Sequence, residues 1–140
     1  MFRAFVRAAA FAAALFAAGP APAQTAAEAA GIERAIRSQI EAMQADDWGR
    51  AFAFASPSIQ DLFRDPENFS RMVAKGYPMV RSPKSYSAGA LTAAPEGYNQ
   101  VMIFEDQRGR LFIVDYRMVL IDGKWRINGV SIRPAPDESA

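Results

Sequence analysis

Tyr116 carries the one hydroxyl in an otherwise apolar alternation of Phe112, Val114, Tyr116, Met118 and Leu120. A phenol in that position must find a hydrogen bond or reach a wet cavity. It could offer a ligand a hydrogen bond, or serve a reaction as an acid. Acid–base chemistry in a dry pocket also wants a carboxyl group of raised pKa within reach. Asp115 is adjacent in sequence, but strand alternation sends it to the opposite face, so the two cannot share one pocket. Asp115 is expected to pair with an arginine instead. Glu105 and Asp106 fall at a turn and make poor general bases. The chain has no histidine and no cysteine. Catalytic residues are therefore left unassigned, and enzymatic activity is the less favoured reading. Neither metal-ligand spacing nor a phosphate loop is present, so no metal and no cofactor is expected.

Tyr86, Trp48 and Trp125 join Tyr116 as candidates to line a ligand pocket. The competing role for all four rings is to fill an ordinary core. Arg117 and Arg126 could clamp a carboxylate bidentately, but their expected outward orientation favours a solvated face or a subunit contact. The run from Arg81 to Ser87, with Arg81 and Lys84, reads as a solvated strand entry before it reads as an anion site.

The elements that must position these residues are legible. From Thr25 to Gln44, Ile32, Ile36, Ile40 and Met43 recur at helical spacing, and Thr25 with Glu28 matches a capping box. Glu33 with Arg37, and Arg37 with Glu41, are spaced for ion pairs along that helix. Asp46 and Asp47 break the pattern and can cap a second helix bearing Trp48, Ala51, Phe52 and Ala55. Ser56-Pro57 and Asp65-Pro66 each pair a cap with a first-turn proline. They open helices carrying Ile59, Leu62 and Phe63, then Phe69, Met72 and Val73, the last ending at a left-handed Gly76. Tyr77-Pro78-Met79-Val80 links helices to sheet and is read as a packed connector before it is read as a cover for a cavity mouth.

Beyond Tyr77-Pro78 the period becomes two, giving strands at Lys84 to Thr92, Tyr98 to Asp106, Leu111 to Ile121 and Lys124 to Ile132. Asp122-Gly123 signals a two-residue hairpin, which sets Leu120 opposite Trp125 and Met118 opposite Ile127. The apolar parity slips after Ile127, so a bulge at Asn128-Gly129 is expected to bring Val130 opposite Tyr116 and Ile132 opposite Val114. A loop with left-handed Gly109 pairs Phe104 with Phe112. The other face of the third strand, Leu111, Ile113, Asp115, Arg117, Val119 and Ile121, with Val101 and Ile103, is too apolar for a plainly solvated surface: either a second subunit covers it, or these are the scattered exposed hydrophobes common on protein surfaces.

The fold class is thus α+β: N-terminal helices packed on a curved four-stranded antiparallel sheet. Residues 1–23 read as a signal peptide, with Arg3 and Arg7, an apolar run from Ala8 to Ala18, and cleavage between Ala23 and Gln24. The run is too short for a stable membrane anchor, which needs roughly 20 apolar residues. An exported protein, periplasmic or secreted, is expected, with one domain at 24–132 and a disordered tail at 133–140. Setting aside Arg3 and Arg7, 14 basic residues face 15 acidic ones, spread along the chain. That balance lacks the basic stripe that nucleic acid requires.

Asp46-Asp47-Trp48, Ala55-Ser56-Pro57-Ser58-Ile59, Gly76-Tyr77-Pro78 and Gly123-Lys124-Trp125-Arg126-Ile127-Asn128-Gly129 resemble the bacterial domain of unknown function 4864 family. That family lies within the nuclear transport factor 2-like superfamily of cone-shaped α+β domains. The superfamily includes ketosteroid isomerase and SnoaL-like cyclases beside binding and assembly modules, and the closer family implies no known activity. Three readings follow: a non-enzymatic module binding a small apolar ligand or a protein partner, with a homodimer through the outer sheet face; a small cavity enzyme of isomerase or cyclase type; and a structural accessory subunit with a filled core.

Overall fold

A computed structural model describes residues 25–134. The expected signal peptide with its Ala23/Gln24 cleavage point, and residues 135–140 of the expected tail, lie outside them.

Helix α1, Ala26–Gln44, starts where its capping box requires: the Thr25 hydroxyl accepts from the Glu28 amide, and the Glu28 carboxylate accepts from the Thr25 amide, both at 3.1 Å. Its Ile32, Ile36, Ile40 and Met43 are buried, while Glu33 and Arg37 pair at 2.9 Å on the flank. Asp47, Ser56 and Asp65 then cap α2 (Trp48–Ala53), α3 (Pro57–Phe63) and α4 (Pro66–Gly76), each accepting a backbone N–H from the first turn.

The chain leaves α4 differently from the expectation. Gly76 is not left-handed; Tyr77 ends the helix at φ −135°, and Pro78 at once starts a further one-turn helix, α5 (Pro78–Arg81). Among the helix links, positive φ falls instead on Asp46, between α1 and α2, at 54°, and on Arg64, between α3 and α4, at 75°. A proline whose φ suits a helix start makes the expected packed connector a helical turn, with Met79 and Val80 buried.

Strands β1 (Ser85–Ala94), β2 (Gly97–Glu105), β3 (Leu111–Ile121) and β4 (Lys124–Pro134) form one antiparallel meander in the order β1-β2-β3-β4. The hairpin at Asp122-Gly123 has both residues at positive φ, 51° and 75°, as a two-residue turn of this hand demands. Leu120 faces Trp125, Met118 faces Ile127, and Phe104 faces Phe112. The register then slips by one: Arg117 pairs with Gly129, leaving Asn128 as the extra residue, and Val130 and Ile132 come opposite Tyr116 and Val114. A second bulge, which the sequence pattern did not signal, lies between Ala88 and Leu91, where the buried Gln100 side chain donates to the Gly89 carbonyl at 3.1 Å. Bulges bend the strands that carry them, and these two curve the sheet around the helices.

The core lies between α1 and the inner sheet face, where Met102, Phe104, Val114, Tyr116 and Met118 meet the isoleucines of α1. Leu120 shares that face by parity yet is 55% exposed, lying beyond Met118, the last β3 residue paired with β2 on that face. The last strand also extends beyond the expected domain end at Ile132. Arg133 lies in β4, not in a tail, and gives Asp115 two hydrogen bonds of 2.8 and 3.0 Å.

Candidate functional site

The site begins at the edge of β4. The chain between α2 and α3 docks there: the Ile127 amide donates to the Phe54 carbonyl at 2.9 Å, and the Ser56 amide donates to the Ile127 carbonyl at 2.8 Å. Ser56, while capping α3, also donates its hydroxyl to the Asn128 side chain at 2.7 Å. Further along the same edge, the Tyr77 hydroxyl donates to the Val130 carbonyl at 3.0 Å. The bulge thus sits between two anchor points, one holding the start of α3 and the other the end of α4.

Between these anchors lies a cavity of about 290 Å³. Ile59, Leu62 and Phe63 of α3 form one wall, Phe69 and Met72 of α4 another, and Tyr116, Ile127 and Val130 the sheet side. These α3 residues explain a helix with no buried residue of its own: its apolar side chains face the cavity, and Leu62 remains 69% exposed. Phe69 holds the α-helical side together, with Phe52, Phe63 and Trp48 rings at 5.5, 6.1 and 6.2 Å from its own. Gln39 of α1 contributes an amide, whose Nε2 donates to the Ala51 carbonyl at 3.1 Å. Among the described residues, Arg117 is the one charged member of the wall.

Tyr116 is fully buried, and its hydroxyl has no hydrogen-bond partner among the described residues. Burial, reinforced by the nearby Tyr77 and Tyr86 hydroxyls, pushes its pKa far above that of a free phenol. The group therefore stays protonated at any physiological pH. It can give or accept a hydrogen bond, but it cannot act as a phenolate base.

The other three candidate rings lie elsewhere. Tyr86 stacks on Phe104 at 5.6 Å beneath the Arg37 guanidinium, Trp48 lies between Phe69 and Arg81, and Trp125 packs on Tyr98 and against Gly31 of α1. Tyr116 and Trp125 do share the helix-facing side of the sheet, yet only Tyr116 borders this cavity.

The charged candidates separate as well. Asp115 is held on the opposite face by Arg133, with Asn99 adding a bond at 3.2 Å; the arginine, against some opposing desolvation, keeps its carboxyl below the usual range. Desolvation alone would raise Asp106, but the Arg110 amide and guanidinium and the Arg108 amide outweigh it and hold that carboxyl low too. Arg81 pairs with Asp46 and Lys84 with Glu105, so the Arg81 to Ser87 run is no open anion site. Arg126 lies over the Phe54 ring and does not join Arg117. Among the described residues, no group of three acidic or metal-ligating side chains converges to hold a metal ion, and no helix is long and apolar enough to cross a membrane.

Sequence reasoning passed over Gln39 and Asn128. Gln39 interrupts the isoleucine stripe of α1, and a polar residue on an apolar face was the available signal. In the sequence Asn128 signals the bulge alone, and nothing local announces its bond to Ser56.

Residues 25–140 match the family described as Domain of unknown function (DUF4864). Among solved structures, an NTF2-like protein of unknown function from Shewanella baltica OS155 is similar at 14% identity and a TM-score of 0.55, over 83% of this chain and 100% of that one. Aln2 from a Streptomyces species is similar at 12% identity and a TM-score of 0.51, over 81% of this chain and 94% of that one. No curated protein matches.

Proposed function

The chain belongs to the DUF4864 family and has the NTF2-like α+β fold, and on that premise we propose that it is an exported, non-enzymatic module binding a small apolar ligand in the cavity beside Tyr116. The observation that carries this reading is an apolar cavity bordered by Tyr116, whose fully buried hydroxyl has no partner among the described residues. Burying a hydroxyl without a partner costs about 1–3 kcal/mol, a penalty that a ligand offering one hydrogen bond removes. About 290 Å³ lies at the lower edge of ordinary ligand pockets, so the ligand is small. Export is supported by the basic start, apolar run and small residues before Gln24.

An isomerase or cyclase would need a base beside that phenol. Among the described residues no Asp or Glu lines the cavity, and Asp115 and Asp106 are engaged elsewhere, so the binding reading is preferred. A purely structural subunit would fill this space with its own side chains. Calorimetric titration with 4-ethylphenol and ethylbenzene tests the proposal. The phenol should bind about fivefold or more tightly than the hydrocarbon, and Tyr116→Phe should abolish the difference. Failure of the protein to bind either compound would refute it.

A separate observation favours a homodimer. Ile103 and Leu111, 39% and 52% exposed, lie with half-buried Ile113 on the outer sheet face, where Ile103 and Ile113 are cross-strand partners. A contiguous apolar stripe of this kind is a natural surface for a second copy.

A further inference from the structure

Resting on the reading that the cavity beside Tyr116 binds a ligand, we infer that this ligand is an amphipathic acid: an apolar body with a hydrogen-bonding group for Tyr116 and an anionic group for Arg117. The bulge supplies the geometry. Arg117 and Gly129 are direct cross-strand partners, and the guanidinium lies across the glycine. A Cβ on residue 129 would stand 2.7 Å from Arg117 Nη2 and 2.9 Å from Nε, so the absence of a side chain makes room for the guanidinium there. Gly129 has no positive φ, so its backbone conformation does not demand glycine; a side chain there would instead have to displace the Arg117 guanidinium. The guanidinium is thereby laid along the β4 edge, where Asn128 and Gly129 border the cavity.

Arg117 is also uncommitted. Arg37, Arg81, Arg110 and Arg133 each hold a carboxylate, whereas Arg117 has no hydrogen bond or ion pair among the described residues. Asp115, two residues away on the same strand face, is already taken twice by Arg133 and once by Asn99, and Arg117 acts on it through charge alone. No carboxylate in the described cavity wall competes for it. A positioned guanidinium beside an apolar cavity matches a carboxylate or similar planar anion, which it can hold through two parallel N–H bonds. Tyr116 and Arg117, adjacent in sequence but on opposite faces, reach the same cavity because the bulge brings the edge of the sheet between them.

Titration with 3-(4-hydroxyphenyl)propanoate and with 3-(4-hydroxyphenyl)propanamide separates the two claims. At neutral pH the acid should bind about tenfold or more tightly than the amide, and added salt should narrow that ratio. R117Q, and independently G129A, whose methyl group displaces the guanidinium while keeping its charge, should bring the ratio to within about twofold. Equal binding of acid and amide by the unsubstituted protein, or a ratio that survives R117Q, would overturn the inference while leaving the cavity reading intact. Binding of neither compound overturns both.

Discussion

Tyr116 concentrates the chemistry of this protein in one atom. A hydroxyl that is buried without a partner is a cost the fold carries, so removing it should not harm the ligand-free protein. Tyr116→Phe is expected to hold or raise stability to chemical denaturation, by up to about 1–2 kcal/mol. A loss of more than about 1 kcal/mol would mean that the hydroxyl is bonded within the fold. Asp115 behaves oppositely. Its carboxyl is held below the usual range by Arg133, so the stabilisation it gives is present above the unfolded-state carboxylate pKa and is lost as pH falls through the lower folded value. Asp115→Asn should therefore show a shallower loss of stability below about pH 4 than the unsubstituted chain, and an unchanged acid slope would contradict the pairing. Strand parity alone separated Tyr116 from Asp115. It could not show that Tyr86, Trp48 and Trp125 lie away from the cavity, because that depends on how α3 and α4 sit over the sheet.

At the scale of elements, strong local chemistry was readable and long-range docking was not. Thr25, Asp47, Ser56 and Asp65 each announced a helix start by a cap and, in two cases, a following proline. The slip of apolar parity after Ile127 placed a bulge at Asn128-Gly129, where Asn128 is the extra residue. The β1 bulge escaped because Ser85 to Ala94 offers mostly small and polar residues with no parity to break. The cavity escaped because its walls come from α3, α4 and β4, joined by the Ser56–Asn128 and Tyr77–Val130 bonds between residues 72 and 53 positions apart. Trp125 tests the element packing. It is half-buried against Gly31 and Tyr98, so Trp125→Ala should cost about 2–3 kcal/mol, less than the roughly 3–5 of a fully enclosed ring. A cost below about 1 kcal/mol would contradict the docking of α1 on β4.

At the scale of the molecule, a curved sheet is covered by helices on one face and leaves an apolar stripe on the other. Native mass spectrometry of the protein expressed from its full sequence reads two expectations together: a chain beginning at Gln24, and a dimer that Ile103→Lys converts to monomer. A monomer in the unsubstituted chain would contradict the outer-face interface, and an intact Met1 would contradict cleavage. The central claim, that the space beside Tyr116 is a binding site, is tested most directly by a crystal structure grown with 4-ethylphenol. The ligand hydroxyl is expected at about 2.7–2.8 Å from Tyr116 Oη, with its ring between α3 and α4. A cavity closed by Ile59, Phe63 and Met72, with Tyr116 bonded to a protein carbonyl, would contradict it.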